Sequence, residues 1–413
     1  AAEGGRARFR RIADRASALY SPVVHVTAFL TFLGWLLVTG DWHRAITVAI
    51  AVLIITCPCA LGLAVPIVQV VAARRLFENG VMVKDGAAME KLAEIDTVVF
   101  DKTGTLTLGV PRLKNADQLG ETTLALAAAV AAHSRHPFSR AIVRAAASAT
   151  GKAFAFDTVR EFPGLGIEAH NNGATWRLGR AKWALSETAS DHDLQTGTVL
   201  VRNGRKLADF RFEDTLRPGT PKAVERLREK GIGVEIISGD SERQVGAVAD
   251  RLGITAWRAG ALPGEKLTRL SQLADSGHKT LMVGDGLNDA PALAAAHVSM
   301  APASAADIGR NAADFVFLRE SLVAVPLTFD VAKRAGRLIR QNFVLAIGYN
   351  LLAVPVAILG HVTPLLAAVA MSLSSLIVIG NALRLQTDPD LIEPADRAVP
   401  ATTPFPEPVM EAP

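Results

Sequence analysis

The sequence has little cysteine, few aromatic side chains and almost no net charge. Only two cysteines occur in 413 residues, separated by Pro58, which excludes a disulfide framework. We expect the two to be poorly placed to bridge each other, which favours a reducing, metal-handling context. Aromatics make up 6% of the chain, so its apolar content is mostly aliphatic. The formal charge of +4 is small for a chain of this size and gives no case for nucleic acid as a partner. We expect no cleavable signal peptide, because the chain opens polar and rich in arginine.

Half of the residues are hydrophobic, and four apolar runs are near or above the length that crosses a bilayer. Basic residues cluster before the first run, after the second and before the third. The positive-inside rule then predicts an integral membrane protein whose termini and large central segment are cytoplasmic, with the lipid bilayer around its spans. An alternative is that some runs are buried core helices. The predicted spans are Val23–Val38, Ile46–Val71, Phe343–Leu359 and Pro364–Leu383.

Three short apolar runs in the central segment each end in polar residues, as buried parallel strands do at one edge of an open α/β sheet. Helical patterns at Thr220–Lys230 and Glu242–Leu252 fit crossovers, and an Ala-rich helix at Thr122–Ala132 opens an insertion of short strands. The three strand runs are Ile95–Phe100, Val234–Ile237 and Thr280–Val283. The predicted domains are 1–75 (lead-in and first helix pair), 76–111 and 211–330 (α/β domain), 112–210 (inserted α+β domain), 331–386 (second helix pair) and 387–413 (a Pro-rich tail predicted to be disordered).

The heptapeptide DKTGTLT places the carboxylate of Asp101 at a strand end, where it can attack a γ-phosphate. Two anions repel each other, so the site needs cations. Lys266 can supply a fixed charge, and Mg²⁺ could be held by Asp101, Asp285 and a backbone carbonyl near Thr103. Ser238 and nearby amides would hydrogen-bond the transferred oxygens. Glycines that let the backbone approach phosphate are Gly104, Gly239, Gly284 and Gly286.

These motifs resemble those of the P-type ATPases and, more broadly, of the haloacid-dehalogenase-like phosphotransferases. The resemblance rests on DKTGTLT, Ser238–Asp240 (usually Thr-Gly-Asp), Pro263–Lys266 and Gly284–Asp289. It implies a haloacid-dehalogenase-like phosphorylation domain with ATP and Mg²⁺ as cofactors, an aspartyl phosphate, and Mg²⁺ bound through Asp285. The catalytic residues that it implies are Asp101, Lys102, Thr103, Ser238, Gly239, Asp240, Lys266, Asn288 and Asp289.

A membrane-tethered phosphatase of the same superfamily is the rival interpretation. Such enzymes usually carry a second aspartate two residues after the nucleophile, as a general acid–base for hydrolysis. This chain has Thr103 there. We therefore expect a phosphoenzyme that lasts long enough to drive a conformational change.

The insertion carries a second resemblance, because Ser134–Pro137 is similar to the Ser-Glu-His-Pro motif of heavy-metal P-type ATPases, whose His contacts adenine. Two departures are Arg135 in place of the motif's Glu and Ala131 where copper-pump relatives often have another Glu. The alternative is that His-Pro only flanks a helix. The nucleotide-binding residues that the resemblance implies are His136, Pro137, Gly164 and Gly166.

Pro58 should unwind the second span around Cys57 and Cys59, leaving a soft, low-coordinate thiolate site suited to Cu⁺ and, less exclusively, to Zn²⁺ or Cd²⁺. The alternative is two small apolar packing residues. The third and fourth spans resemble the copper-transporting group and have no charge in their interiors. The residues that this resemblance assigns to the ion are Tyr349, Asn350, Met371 and Ser375.

Whole members of the family that these motifs resemble carry an actuator domain with a Thr-Gly-Glu loop and further membrane helices. The chain contains no Thr-Gly-Glu and no amino-terminal Cys-x-x-Cys module, so the resemblance implies the carboxyl-terminal part of a bacterial inner-membrane copper exporter, incomplete as a pump. A non-enzymatic metal-binding scaffold is the remaining alternative. Met300–Asp307 resembles the subgroup that supplies copper to cytochrome oxidase assembly, and the resemblance implies a cytoplasmic copper chaperone as partner. We expect the helix Val68–Asn79 to transmit conformational changes between the spans and the α/β domain.

Overall fold

The computed structural model describes the backbone of residues 8–57, 59–147, 154–185, 198–286 and 288–387. Pro58, Leu287 and the predicted tail beyond residue 387 lie outside this part of the chain. Two compact units are formed, one by residues up to Thr105 and from Pro218 onward, the other by Leu106–Arg217.

Helices and strands alternate through most of the chain. The helices are α1 (Arg8–Thr39), α2 (Trp42–Ile55), α3 (Cys59–Leu63), α4 (Pro66–Glu78), α5 (Gly86–Leu92), α6 (Glu121–Ala131), α7 (Pro137–Ala145), α8 (Ala181–Ala184), α9 (Thr220–Glu229), α10 (Glu242–Leu252), α11 (Pro263–Asp275), α12 (Ala290–Ala295), α13 (Asp307–Ala312), α14 (Ala324–Ile358) and α15 (Pro364–Leu383). The strands are β1 (Val81–Val83), β2 (Thr97–Phe100), β3 (Thr107–Leu113), β4 (Thr158–Phe162), β5 (Gly166–Asn171), β6 (Ala174–Arg180), β7 (Thr198–Arg202), β8 (Arg205–Phe210), β9 (Phe212–Leu216), β10 (Gly233–Ile237), β11 (Ala256–Arg258), β12 (Thr280–Val283), β13 (Val298–Pro302) and β14 (Phe315–Phe317).

The first unit contains a seven-stranded sheet in the order β1-β14-β13-β12-β2-β10-β11. Strand β2 is fully buried and pairs in parallel with both β10 and β12, so that Val99 lies opposite Glu235 on one side and Met282 on the other. The three predicted strand runs are thus neighbours at the centre of the sheet, and their carboxyl ends share one edge. This confirms the predicted α/β architecture.

Among the described residues of this unit, four segments are long and apolar enough to cross a membrane: Pro22–Thr39, Trp42–Glu78, Ala324–Ile358 and Pro364–Leu383. The second is not one continuous helix, because α2 ends at Ile55 and α3 begins at Cys59. Ala60 of α3 and Ala64, just after it, pack against α14 and α15. Large apolar side chains of α14 and α15 point outward, as lipid-facing residues do; examples are Val344, Leu351, Leu365 and Leu376.

Helix α14 belongs to both the α/β layer and the apolar layer of the first unit. Near its start, Thr328 and Phe329 are fully buried, and Asp330 forms an ion pair of 2.7 Å with Lys230, just after α9. Further along, Asn342 is fully buried. Its Nδ2 donates to the Ala64 carbonyl (3.3 Å), and its Oδ1 accepts from Asn381 Nδ2 on α15 (2.9 Å). One amide therefore joins α14, α15 and the segment that follows α3.

The second unit contains an antiparallel five-stranded sheet in the order β4-β5-β6-β7-β8, and β3 pairs separately with β9. Helices α6 and α7 contribute Val130 and Ile142 to a core with Ile167 and Leu200. Ala131, one of the two departures noted above, is fully buried in this core. The first turn of α7 begins with Pro137, which suits a position whose N–H has no helical partner.

Candidate active site

Asp101 lies immediately after the central strand β2, and its backbone N–H donates to the Val283 carbonyl of β12 (2.9 Å). Its side chain is 7% exposed. Lys266, near the start of α11, donates from Nζ to Oδ1 of Asp101 and to Oδ1 of Asp289, both at 2.6 Å. The structure therefore unites three of the predicted catalytic residues, which come from three different segments.

Carboxylate oxygens of Asp101, Asp285 and Asp289 lie within 4.8 Å of one another. Burial raises the pKa of Asp101 to about 7, and Asp289 and Asp285 add to this, against the opposing effect of Lys266. Burial by itself would lower the pKa of Lys266, but Asp101 and Asp289 raise it overall, so the lysine stays charged. Converging oxygen ligands with an excess of negative charge are the donor set that fits Mg²⁺.

Two glycines permit close approach at this site. Gly104 has φ +74°, and a Cβ there would lie 2.5 Å from Asp285 Oδ2. Gly286 has φ +85°, and its Cβ would lie 1.9 Å from the Cα of Gly309. Any other residue would displace the loop that carries Asp285.

The Ser238–Asp240 segment follows β10 and faces the residues after Asp101. Asp240 Oδ2 accepts from Lys102 Nζ (2.8 Å) and from Thr103 Oγ1 (2.6 Å). Burial raises the pKa of Asp240, but these two hydrogen bonds prevail and lower it overall. Ser238 is buried, and its Oγ accepts from the Asp240 backbone N–H (3.2 Å). The motif alone did not indicate that Asp240 binds the two residues after the nucleophile.

Two of the assigned catalytic residues, Gly239 and Asn288, have positions that do not by themselves indicate a catalytic role. Gly239 keeps a backbone conformation outside the left-handed region, so its φ does not require glycine. Asn288 lies in an exposed turn before α12. Their catalytic roles stay predictions.

The second unit contains a cavity of about 260 Å³ beside the start of α7. His136 caps α7, and its Nδ1 accepts from the Phe138 N–H (3.3 Å). Gly164 and Gly166 line the same cavity, so the structure unites three of the four residues assigned to the nucleotide. Pro137 serves instead as the first residue of the helix. The wall also contains Phe138 and Glu161, which no motif had indicated.

The prediction that Cys57 and Cys59 are poorly placed to bridge each other is wrong. Their sulfurs are joined in a disulfide, and their Cα atoms, 5.4 Å apart, are within the range that such a bond requires. The helix break between α2 and α3 turns the chain enough to bring the two residues together. A metal site made of two thiolates therefore requires this bond to be reduced first.

The other residues assigned to the ion lie on α14 and α15. Asn350 Nδ2 donates to the Ala346 carbonyl one turn earlier (3.0 Å), and its Oδ1 is buried without a partner among the described residues. Ser375 Oγ donates to the Met371 carbonyl (3.3 Å). Tyr349 packs in a separate apolar cluster with residues of α1, α2 and α15. Within this set, the buried Oδ1 of Asn350 is available to serve as a ligand.

Residues 95–297 match the family model of the haloacid dehalogenase-like hydrolases. The chain is 58% identical over 386 residues to the nitrogen fixation protein FixI of Rhizobium meliloti, covering 94% of this chain and 50% of that protein. It is 38% identical to a copper-exporting P-type ATPase of Mycobacterium tuberculosis, covering 93% of this chain and 52% of that protein.

Solved structures match as well. A zinc-transporting PIB-type ATPase in its E2.Pi state superposes with a TM-score of 0.78 at 33% identity, covering 90% of this chain and 63% of that one. The catalytic domain of the CPx-ATPase CopB-B matches with a TM-score of 0.53 at 30% identity, covering 63% of this chain and 98% of that one. The chain belongs to the heavy-metal P-type ATPases.

The predicted family is therefore confirmed. The chain spans about half the length of the curated relatives that it matches. Among these relatives and structures, one name refers to copper and another to zinc.

Proposed function

We propose that this chain contains the phosphorylation site and part of the ion path of an ATP-driven exporter of Cu⁺. The observation that supports this proposal best is the arrangement around Asp101, which is paired with Lys266 and lies beside Asp285 and Asp289. The residue two positions after Asp101 in the sequence is Thr103. The hydroxyl of Thr103 is bonded to Asp240, so this position supplies no acid to hydrolyse an aspartyl phosphate.

The phosphorylation step requires a carboxylate and a neutralised γ-phosphate. An Asp101 oxygen attacks the γ-phosphorus of ATP, the bond from that phosphorus to the β–γ bridging oxygen breaks, and ADP leaves. Lys266 offsets charge on both Asp101 and the incoming phosphate, and Ser238 would donate to a phosphoryl oxygen. Asp101 and Asp285, with Asp289 in support, would hold Mg²⁺, which when bound neutralises phosphate oxygens.

The cavity beside His136 is the proposed site of the ATP base. It combines a histidine, two glycines and apolar walls, the usual mixture of a few placed polar groups in a mainly apolar pocket. The residues of this cavity belong to a compact unit of their own, Leu106–Arg217. We infer that residues 112–210 act as the nucleotide-binding domain.

Cu⁺ is the preferred ion because the available donors are soft or neutral. Reduced Cys57 and Cys59 would supply sulfur, and the buried Oδ1 of Asn350 and the Met371 thioether would extend the path. Residues 343–359 and 364–383 contain no Asp, Glu, Lys or Arg to compensate a divalent ion. Export of Zn²⁺ or Cd²⁺ is the second candidate, supported by the similarity to a zinc-transporting structure.

The cellular location and the partners of the protein follow from the same proposal. We place the protein in a bacterial inner membrane with its α/β and nucleotide-binding domains and both termini in the cytoplasm, since basic residues flank the spans on that side. A cytoplasmic copper chaperone would deliver the ion. A role of the whole pump in supplying copper for cytochrome oxidase assembly is part of the proposal and rests on the resemblance of Met300–Asp307 to that subgroup.

Labelling with γ-labelled ATP and Mg²⁺, in the presence of Cu⁺, Zn²⁺ or a chelator, tests the proposal. We expect a hydroxylamine-sensitive label that requires Cu⁺ and reduced thiols and is absent from Asp101→Asn and Cys57→Ala chains. A label that responds to Zn²⁺ but not to Cu⁺ would select the second candidate. Release of free phosphate without a covalent label would favour the phosphatase, and no reaction with ATP would favour the scaffold.

A further inference from the structure

Glu161 presents a carboxylate in the wall of the nucleotide cavity, close to His136. It lies near the end of β4, on the edge of its sheet. Its Oε1 accepts from the Oγ of Ser134 (2.6 Å), and the same Oγ accepts from the His136 backbone N–H (3.0 Å). Ser134 is buried, so this hydroxyl fixes Glu161 and His136 in one frame.

The two side chains have opposite hydrogen-bonding polarity. Nδ1 of His136 accepts from the Phe138 N–H, so the proton of the neutral ring resides on Nε2, which is a donor. Glu161 is an acceptor through both oxygens, and its Oε2 has no hydrogen-bond partner in the part of the chain that the structure describes. The cavity wall thus places a donor, His136, and an acceptor, Glu161, in one frame linked through a single serine, and Ser139, Arg180 and Thr198 are further polar residues of the wall.

This pair matches one purine edge and opposes the other. Adenine presents an amino group that donates and, next to it, a ring nitrogen that accepts. Hypoxanthine and guanine present an oxygen that accepts and a ring N–H that donates. Against these bases, Glu161 would face an acceptor and His136 a donor, leaving polar groups unpaired.

We propose that Glu161 is a base-selecting residue, which accepts a hydrogen bond from the adenine amino group while His136 donates to the adjacent ring nitrogen. The proposal rests on the proposed function of this cavity as the ATP site. It adds to the predicted nucleotide residues a position that selects ATP against ITP and GTP.

Competition binding to the whole chain in detergent tests the selection, with a fluorescent ATP analogue displaced by ATP, ITP or GTP. We expect the wild-type chain to bind ATP about tenfold or more tightly than ITP, because ITP cannot make the charge-assisted hydrogen bond to Glu161. Glu161→Gln should bring the ATP:ITP ratio close to one, because an amide can either accept from an amino group or donate to an oxygen. Glu161→Ala should weaken ATP binding and leave ITP binding unchanged or improved.

A matched control is Glu121→Gln, which removes an exposed acid at the start of α6 in the same unit, outside the cavity wall. This variant should keep the wild-type ratio. The ratio of two nucleotides measured on one preparation is insensitive to partial misfolding, which would weaken both alike. Thermal unfolding midpoints of all variants serve as the fold check.

The outcomes separate the two levels of the argument. An unchanged ATP:ITP ratio in Glu161→Gln, or equal binding of ATP and ITP by the wild type, overturns the selecting role while ATP binding stands. A wild-type chain that binds neither nucleotide overturns the proposed ATP site itself, and the selection with it. A ratio that falls in Glu161→Gln and not in Glu121→Gln supports the proposal.

Discussion

The Asp101 site and the Cys57–Cys59 segment belong to the same compact unit but differ in how their polar groups are paired. At the first, bonds cross the sequence: Lys266 reaches Asp101 over 165 positions. At the second, bonds stay local: the cysteines bond to each other and Asn350 bonds to the preceding turn of its own helix.

This contrast concerns preorganisation. Strand ends hold Asp101 and Asp285, and helix starts hold Lys266 and Asp289, in place before any substrate arrives, which is what electrostatic stabilisation of phosphoryl transfer requires. Two of the proposed ion ligands, Cys57 and Cys59, must instead give up the bond that joins them before they can bind an ion. The cysteine part of the ion path is therefore not preorganised for its ion.

The largest expected effect comes from Asp101→Asn, which should reduce the phosphoenzyme to background because an amide is no nucleophile. It should also stabilise the fold at neutral pH. The Asp101 pKa is raised from 3.8 to about 7, mainly by burial, so between these values the folded chain binds more protons than the unfolded chain. Stability therefore falls as pH rises through this window, and the amide removes that loss.

Thermal unfolding in EDTA checks this prediction. At pH 7.5 the Asp101→Asn chain should melt at a higher temperature than the wild type, and the difference should disappear below about pH 4. Asp117→Asn, at an exposed position, should shift nothing. A lower midpoint for Asp101→Asn at pH 7.5 would contradict the assigned cost of the buried carboxylate.

Lys266→Met should slow phosphoenzyme formation by about 100-fold or more, because the attacking carboxylate and the phosphate lose their fixed counter-charge. It should also destabilise the chain by about 3 kcal/mol, since two buried acids lose their partner. The comparison is Lys230→Met, which breaks a partly exposed ion pair and should cost less than about 1 kcal/mol. Rapid-quench labelling and urea unfolding measure the two effects, and equal losses in both variants would refute the difference in preorganisation.

Reduction of the disulfide should allow Cys57 and Cys59 to bind Cu⁺. We expect Cu⁺ affinity to be about 100-fold higher after treatment with a non-thiol reductant than before it, because only free thiolates can bind the ion. Competition with a colorimetric Cu⁺ chelator gives the affinity. A Cys57→Ala, Cys59→Ala chain should bind weakly under both conditions. Tight binding by the unreduced wild type would show that the ion uses other ligands.

The smallest expected effect is that of Asn342→Leu, about 1 kcal/mol of stability in detergent. This change leaves the Ala64 carbonyl and Asn381 without the amide that joins them. Ser372→Ala, which removes an exposed hydroxyl bonded to its own helix, should have almost no effect. If the two variants lose the same amount of stability, hydrogen bonds between helices contribute no more to stability than a hydrogen bond within one helix.

Sequence patterns predicted what depends on the backbone. Strands β2, β10 and β12 were expected within two residues of their bounds, because apolar runs that end in polar residues mark strands and parallel strands align their ends. The acids and Lys266 followed from that edge. The bonds of Asp240 to Lys102 and Thr103, the position of Glu161 and the disulfide depend on side-chain geometry, which spacing along the chain does not encode.

Helix α14 has a mechanical consequence. Its 35 residues make a rod about 52 Å long, with one end anchored in the α/β core and the other in the apolar layer. A tilt of about 5° at the end in the α/β core moves the far end of such a rod by about 4.5 Å, and it moves Asn350, about 39 Å along the rod, by about 3.4 Å. Small angular adjustments around the proposed phosphorylation site at Asp101 would thus be amplified into a displacement of Asn350.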